Sequence, residues 1–346
     1  MTAESHGAGT PSSLARRALL IALTVVITAI ASLVALELLA RAYGRRPRHH
    51  IDPPESVIHT PDPVLGWKMA PGEYQLAASA VGGEKVRVTV WPDGSRATGP
   101  KASDGDKRVV LVGCSFTMGW GVADDQTWAW HLQALRPDLQ VVNHGVAGYG
   151  TLQSLLVLEE LLNSGAPPPA RVIYGFIDHG VRNVAAPNWL QALALTDHPA
   201  AVPYCTVNLD DNLECHPPQA YPALPLDQYL AFVELLENRL LWSEAGARPN
   251  MAVRVTKLLI ERMATLCREH GVEFSVALLY APELVQKTYV PYMERHHIDV
   301  IDCNQPNFTA DDMVVGDLHP NAAVHQRWAD CIIAALAQPS RLPPPW

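Results

Sequence analysis

From residue 108 onward, short apolar runs alternate with longer amphipathic ones, and this alternation constrains the fold more than any other feature. RVVLVG (108–113), QVVNHGV (140–146), RVIYGFI (171–177), EFSVALLY (273–280) and IDVIDC (298–303) have the length and β-branched content of strands. TWAWHLQAL (127–135), LQSLLVLEELLN (152–163), stretches near 227–243 and 251–269, PELVQKTYVPYMERH (282–296) and NAAVHQRWADCIIAALA (321–337) read as helices. Strands without a polar face must be covered on both sides. The pattern over 106–340 therefore predicts an α/β domain with a parallel central sheet between two helical layers. In such sheets the chemistry gathers beyond the carboxyl ends of the strands.

The first 50 residues differ. Ala18–Leu36 (ALLIALTVVITAIASLVAL) carries no charge, and Glu37 alone interrupts the apolar character before Arg41. That length crosses a hydrocarbon core of ~30 Å as a helix, and its apolar character runs all round rather than along one stripe. It predicts a membrane anchor over 18–40, preceded by a tail over 1–17. A cleavable signal ending at ARA (40–42) is the rival reading, but the apolar stretch is long for a signal's central region. Two arginines (Arg16, Arg17) precede it and four (Arg41, Arg45, Arg46, Arg48) follow; counted literally, these put the following domain in the cytoplasm.

Cysteine usage points the other way. Cys205 and Cys215 flank a short polar loop and are placed to close a disulfide, which needs an oxidising compartment. Cys114, Cys267, Cys303 and Cys331 show no spacing that selects a pairing and read as buried, reduced thiols. With no C-x-x-C, a zinc ribbon is excluded; His49-His50 and His296-His297 lack further ligands at metal spacing and read as solvent-exposed, so no metal or organic cofactor is expected. A net charge of −9, with no basic stripe after residue 50, excludes the nucleic-acid backbone as a partner. Between anchor and sheet, residues 51–105 read as a small strand-rich extension. KVRVTVWPDGSRAT (85–98) alternates like an edge strand before its Pro92-Asp93-Gly94 turn, and ASDGDK (102–107) is a polar joint.

Ser115 sits at the carboxyl end of the first predicted core strand, in VLVGCSFTMGWGV (110–122). A serine hydroxyl is a poor nucleophile until a base takes its proton. GDLHPN (316–321) supplies a plausible base unit: two residues apart in an extended loop, Asp317 and His319 face the same side, so the carboxylate can hold the imidazole. The chain order is then nucleophile, orienter, base. A strand-end serine also serves as a turn or helix-cap residue, and Thr117 replaces the second glycine of a G-x-S-x-G elbow, so an ordinary α/β-hydrolase is not indicated. Cys114, beside Ser115, should point to the opposite side of the strand and into the packed layer. Trp120 is a candidate for a substrate groove, whereas Trp128 and Trp130 read as packing of the following helix.

GCSFTMGWGVADDQTW (113–128), NHGVAGYGT (143–151) and GDLHPNAAVHQRWAD (316–330) resemble, in order, three sequence blocks of the SGNH/GDSL hydrolases, and together cover about 108–338. The resemblance implies a flavodoxin-like, three-layer α/β/α core and a serine esterase or acyl hydrolase acting through an acyl-enzyme. Ser115 would be the nucleophile, His319 the base and Asp317 its orienter, with the backbone N–H groups of Ser115 and Gly148 as oxyanion donors. The family's third block usually carries an Asn-Asp pair, whose Asn side chain is the remaining donor. Here Asp178-His179 stands there, so either His179 takes that role, Asn183 reaches in, or turnover is reduced. LELLARAYG (36–44) and DPVLGW (62–67) are similar to segments of membrane-anchored bacterial members. This implies a single-pass protein whose catalytic domain is periplasmic or otherwise extracytoplasmic, acting on an acyl ester of a carbohydrate or lipid. O-acyl transfer to cell-surface polysaccharide, or carbohydrate binding on a catalytically weak copy of the same fold, are the alternatives.

Overall fold

The computed structural model describes residues 13–48, 58–78, 84–194, 201–305 and 308–338. His49-His50, the first twelve residues of the predicted tail and the closing RLPPPW lie outside the described residues. Five strands form the central sheet: β1 (Lys107–Gly113), β2 (Leu139–Gly145), β3 (Arg171–Ile177), β4 (Glu273–Tyr280) and β5 (Asp299–Asp302). They run parallel in the order β5-β4-β3-β1-β2. This is the flavodoxin-like order, and its switch point, where ligands bind beyond the carboxyl ends, lies between β1 and β3.

Alternation along each strand divides the core between two faces. On one face Val110 and Val112 of β1, Tyr174 and Phe176 of β3, and Val276 and Leu278 of β4 are buried under α2 (Thr151–Asn163), α3 (Ala252–Glu269) and α4 (Glu283–Arg295). On the other, Val109, Leu111, Ile173, Ile177, Ala277 and Leu279 pack against α1 (Trp128–Leu135) and α5 (Ala322–Leu336), which contribute the fully buried Trp128 and Trp328. Thr127 caps α1 by accepting the Trp130 N–H, and Asn321 caps α5 by accepting those of Ala323 and Val324.

Two antiparallel hairpins precede the sheet, His59–Asp62 with Gly66–Met69 and Gly72–Ala77 with Lys85–Val90. Arg96 then bridges to Asn143 of β2 through its backbone N–H (2.8 Å), and the Thr98 hydroxyl donates to the Val141 carbonyl (2.8 Å). The extension thereby occupies the β2 edge of the sheet, where unpaired backbone groups would otherwise face water.

Two features depart from the sequence reading. The polar stretch around Cys205 and Cys215 is an antiparallel hairpin, Ala201–Val207 with Leu213–Ala220, whose Pro217 and Pro218 mask the strand signal. The two cysteines lie opposite each other in its register and form a disulfide. A second disulfide joins Cys303, at the end of β5, to Cys331 of α5. This corrects the expectation that both are reduced thiols: the pair is 28 residues apart and is brought together only by α5 folding back on β5. Cys114 and Cys267 are free and buried.

The chain divides into two compact units, residues 51–221 with 244–346, and residues 1–50 with 222–243. The smaller unit contains a 30-residue helix, Ser13–Ala42, long and apolar enough to cross a membrane. Its final turn is tied to the second segment of the same unit. Glu37 accepts the Phe232 N–H (3.1 Å), Arg41 donates to the Tyr229 carbonyl (3.3 Å), and the buried Arg48 guanidinium pairs with Asp227 (3.2 Å) and Glu237.

Candidate active site

β1 ends at Gly113, and the chain turns at once into a four-residue helix, Ser115–Met118. That turn sits closely on the sheet because Gly113 pairs with Gly145 of β2 on one side and Gly175 of β3 on the other. A methyl on Gly113 or Gly175 would collide with Thr117 Oγ1, and one on Gly145 with the Met118 backbone nitrogen. The buried Asn143 adds a tie from β2, donating to the Thr117 carbonyl at 2.9 Å.

The far side of the turn is held by the extension. Arg96 is wholly buried and donates to the carbonyls of Met118 (3.0 Å), Gly119 and Val122 (2.7 Å), with Asp124 as its carboxylate partner at 3.4 Å. Burial draws its pKa down to about 10 and Asp124 opposes the shift, so the guanidinium stays charged at neutral pH.

Ser115 and His319 meet across 204 residues, with Ser115 Oγ 2.9 Å from His319 Nε2. On the other edge of the ring, Nδ1 is hydrogen-bonded to Asp317 Oδ1, an oxygen that also accepts the His319 backbone N–H at 3.0 Å. With the Nδ1 proton donated to the carboxylate, Nε2 is the lone-pair nitrogen and the Ser115 hydroxyl donates to it. The ring is fixed further by Phe116, edge-on at 5.8 Å, and by Trp120 at 6.3 Å. Burial holds the His319 pKa below the ordinary 6.5, Asp317 opposes this, and the nearby Arg182 charge adds to the lowering. The imidazole is neutral at pH 7.

Ser115 stands at the start of a helix rather than on the strand, so strand alternation does not separate it from Cys114. Cys114 is the extended residue before that helix, with its side chain in the apolar cluster beneath β1. Burial raises its thiol pKa and keeps it protonated. Trp120 lies beside the site, stacked on His59 of the first hairpin at 6.5 Å.

Gly148 occupies a turn after β2 with φ = 84°. His179 lies two residues past the end of β3, and its Nε2 is shut off from solvent with no hydrogen-bond partner. Burial depresses its pKa well below 6.5, with Arg182 and His319 adding to the shift, so this ring too is neutral. Asn183 does not reach the site. Its Oδ1 accepts the Leu152 N–H (3.1 Å), and its Nδ2 donates to the hydroxyls of Thr151 (3.1 Å) and Thr256 (2.8 Å). Asp178 is likewise engaged, accepting from the Gly180 N–H (3.1 Å) and the Tyr289 hydroxyl (3.0 Å).

Sequence reasoning passes over three residues here: Trp67, Arg96 and Arg182. Arg182 donates to the Tyr149 carbonyl at 2.9 Å and stacks its guanidinium 4.5 Å above the Trp189 ring. Among the described residues, no group of three or more His, Cys, Asp or Glu is arranged to hold a metal ion.

No family model matches the sequence, and no curated protein matches it. Among solved structures, the chain resembles the G-D-S-L lipolytic proteins. A member of that family from Veillonella parvula is 12% identical, with 67% of this chain and 100% of that one covered and a TM-score of 0.41. The esterase EstA from a Pseudoalteromonas species is 12% identical over 67% and 100% of the two chains, with a TM-score of 0.39. An acetylxylan esterase from Geobacillus stearothermophilus is 10% identical over 69% and 98%, with a TM-score of 0.38.

Proposed function

We propose that the chain is a membrane-anchored serine esterase of the SGNH/GDSL type. The observation that carries this reading is the continuous hydrogen-bonded line from Ser115 Oγ through the His319 ring to Asp317. His319 Nε2 takes the hydroxyl proton as Ser115 Oγ attacks an ester carbonyl, and Asp317 stabilises the resulting imidazolium. The oxyanion is received by the backbone N–H of Ser115, which as the first helical residue has no intrahelical acceptor, and by that of Gly148. His179, which stands where the family carries its asparagine, is the third donor of this reading, through a ring N–H. His319 then returns its proton to the departing alcohol, and water, activated by the same base, clears the acyl-enzyme.

The reading extends to location. Two disulfides in one chain fit an oxidising compartment, which supports a domain outside the cytoplasm despite the arginine count around the N-terminal helix. Acylated carbohydrate or lipid at a cell surface is the substrate class that fits such a placement.

The test uses the full chain in detergent micelles, assayed on short-chain aryl esters beside Ser115→Ala and His319→Ala. Each substitution is expected to lower kcat by roughly 10³-fold or more while the protein stays folded, the scale seen when a triad member is removed. Activity that survives Ser115→Ala and disappears with Cys114→Ala would overturn the assignment of the nucleophile.

A further inference from the structure

The Gly148 turn has a hydrogen bond on its outer side whose donor comes from the first hairpin. Residues 146–149 form a β-turn closed by the Tyr149 N–H on the Val146 carbonyl at 3.2 Å, and the third residue, Gly148, has φ = 84°. A positive φ at that position is the type II form; type I differs from it mainly by turning over the central peptide, here Ala147–Gly148. Glycine tolerates both forms. In a trans peptide the carbonyl and the N–H point in opposite directions, so whatever fixes the Ala147 carbonyl also aims the Gly148 N–H.

Trp67 fixes that carbonyl. Its Nε1 donates to the Ala147 oxygen at 3.0 Å. The ring is buried and cannot drift: the Tyr149 hydroxyl donates to the Trp67 carbonyl at 2.5 Å, and the two rings meet edge-on at 5.7 Å. One residue pair back, the Gln153 side chain donates to the Leu65 carbonyl at 2.7 Å. The ring also lies flush with the turn, since a methyl on Gly148 would stand 2.8 Å from its Cζ2. In the preceding turn, Asp62 accepts the N–H groups of Val64 and Leu65, both at 2.9 Å, which sets the loop that delivers Trp67.

We propose that Trp67 is a positioning residue for the oxyanion hole: its indole N–H selects the peptide orientation that presents the Gly148 N–H to the reacting carbonyl. In the turned-over form the Ala147 carbonyl oxygen would occupy that direction and repel the developing negative charge. The DPVLGW segment of the extension is then a component of the active site. This inference rests on the esterase reading of Ser115.

The test is Trp67→Phe in the full chain, which keeps an aromatic ring and removes the N–H. Loss of one oxyanion donor predicts a fall in kcat of roughly 10²-fold with KM within about twofold. A merely structural role would instead lower the melting temperature and the amount of active protein, leaving kcat per labelled site unchanged; active sites are therefore counted by covalent labelling with a phosphonate ester. The crystal structure of the variant should show the Ala147–Gly148 peptide turned over or in both orientations. If Trp67→Phe does not fold, benzothienylalanine at position 67, which retains the fused ring with sulfur in place of N–H, is measured in its stead. Unchanged kcat per site, or a peptide that keeps its orientation without the N–H, would overturn the proposal. A parent protein that hydrolyses no ester would overturn the esterase reading, and the crystal structures alone would then decide whether the indole sets the peptide.

Discussion

The sheet domain and the extension that precedes it contribute to the same site in different currencies. Ser115, at the start of the helix after β1, and Asp317 and His319, from the loop before α5, are joined through side-chain atoms, and in the proposed reaction they act through them. Residues 58–98 bring none of the reacting groups. Their two principal contributions, Trp67 and Arg96, end on backbone carbonyls of the turns that carry Gly148 and follow Ser115. One region provides the reactive atoms, and the other holds the peptide planes around them. A site built this way fails differently according to which region is altered.

The largest effect should come from the sheet domain. Asp317→Asn leaves the shape of the loop intact but favours the wrong imidazole tautomer, and kcat should fall by roughly 10³- to 10⁴-fold with little change in melting temperature. A loss no greater than that of Trp67→Phe would break the proposed division. Next is Arg96→Met, which should appear first in stability. It leaves Asp124 buried with only Arg87, at 3.5 Å, as a cation, and removing one partner of a buried pair costs about 3–5 kcal/mol. Urea unfolding measures the loss, and Asp124→Asn in the same chain should recover part of it. Full stability in Arg96→Met would show that the extension holds the Ser115 turn by other means.

The smallest effect is linked to protons and sharpens the same comparison. His319 must be neutral to act, so the rate should rise with pH through its folded-state pKa, below 6.5, and level off above it. His325 in α5 is buried, and its Nδ1 accepts the Trp128 N–H at 3.3 Å, which only an unprotonated nitrogen can do. Burial brings its pKa to about 3. The unfolded chain takes up this proton near 6.5 and the folded chain does not, so its contribution to stability is complete above 6.5 and is lost progressively as pH falls towards 3. The slope is about 1.4 kcal/mol per pH unit. His325→Phe should make the loss of stability between pH 6.5 and 4.5 shallower by about one proton, as read from urea midpoints. An unchanged slope would place the acid-sensitive part of the fold elsewhere.

The two regions also differ in how far they can be read from the chain alone. β3 and β4 coincide with the apolar runs at 171–177 and 273–280, because a strand buried on both faces writes its whole length as hydrophobic residues. The Asp317–His319 pair is local, two residues apart, and so is visible as a motif. Trp67 and Arg96 act across 80 residues and across 22–26 residues on carbonyl oxygens, which every residue type carries, so no side-chain pattern marks their targets. The Cys303–Cys331 bridge is hidden for a related reason, since it depends on where α5 lands. Asn183 shows the opposite failure. Its type and proximity to β3 suit an oxyanion donor, yet three hydrogen bonds turn it towards α2 and α3.

The three glycines beneath Ser115 carry a last consequence. A seat made of side chains can repack, because each has rotamers to exchange and volume to trade with its neighbours. Gly113, Gly145 and Gly175 have neither, and what rests on them is the Thr117 side chain and the Met118 backbone nitrogen, so the height of the Ser115 turn above the sheet is set at three fixed backbone positions. Substitutions that rearrange the surrounding apolar layers can change the stability of the domain while this spacing holds. On the proposed esterase reading, the surroundings of Ser115 are therefore free to diverge towards different acyl groups and alcohols, with the nucleophile delivered at the same level.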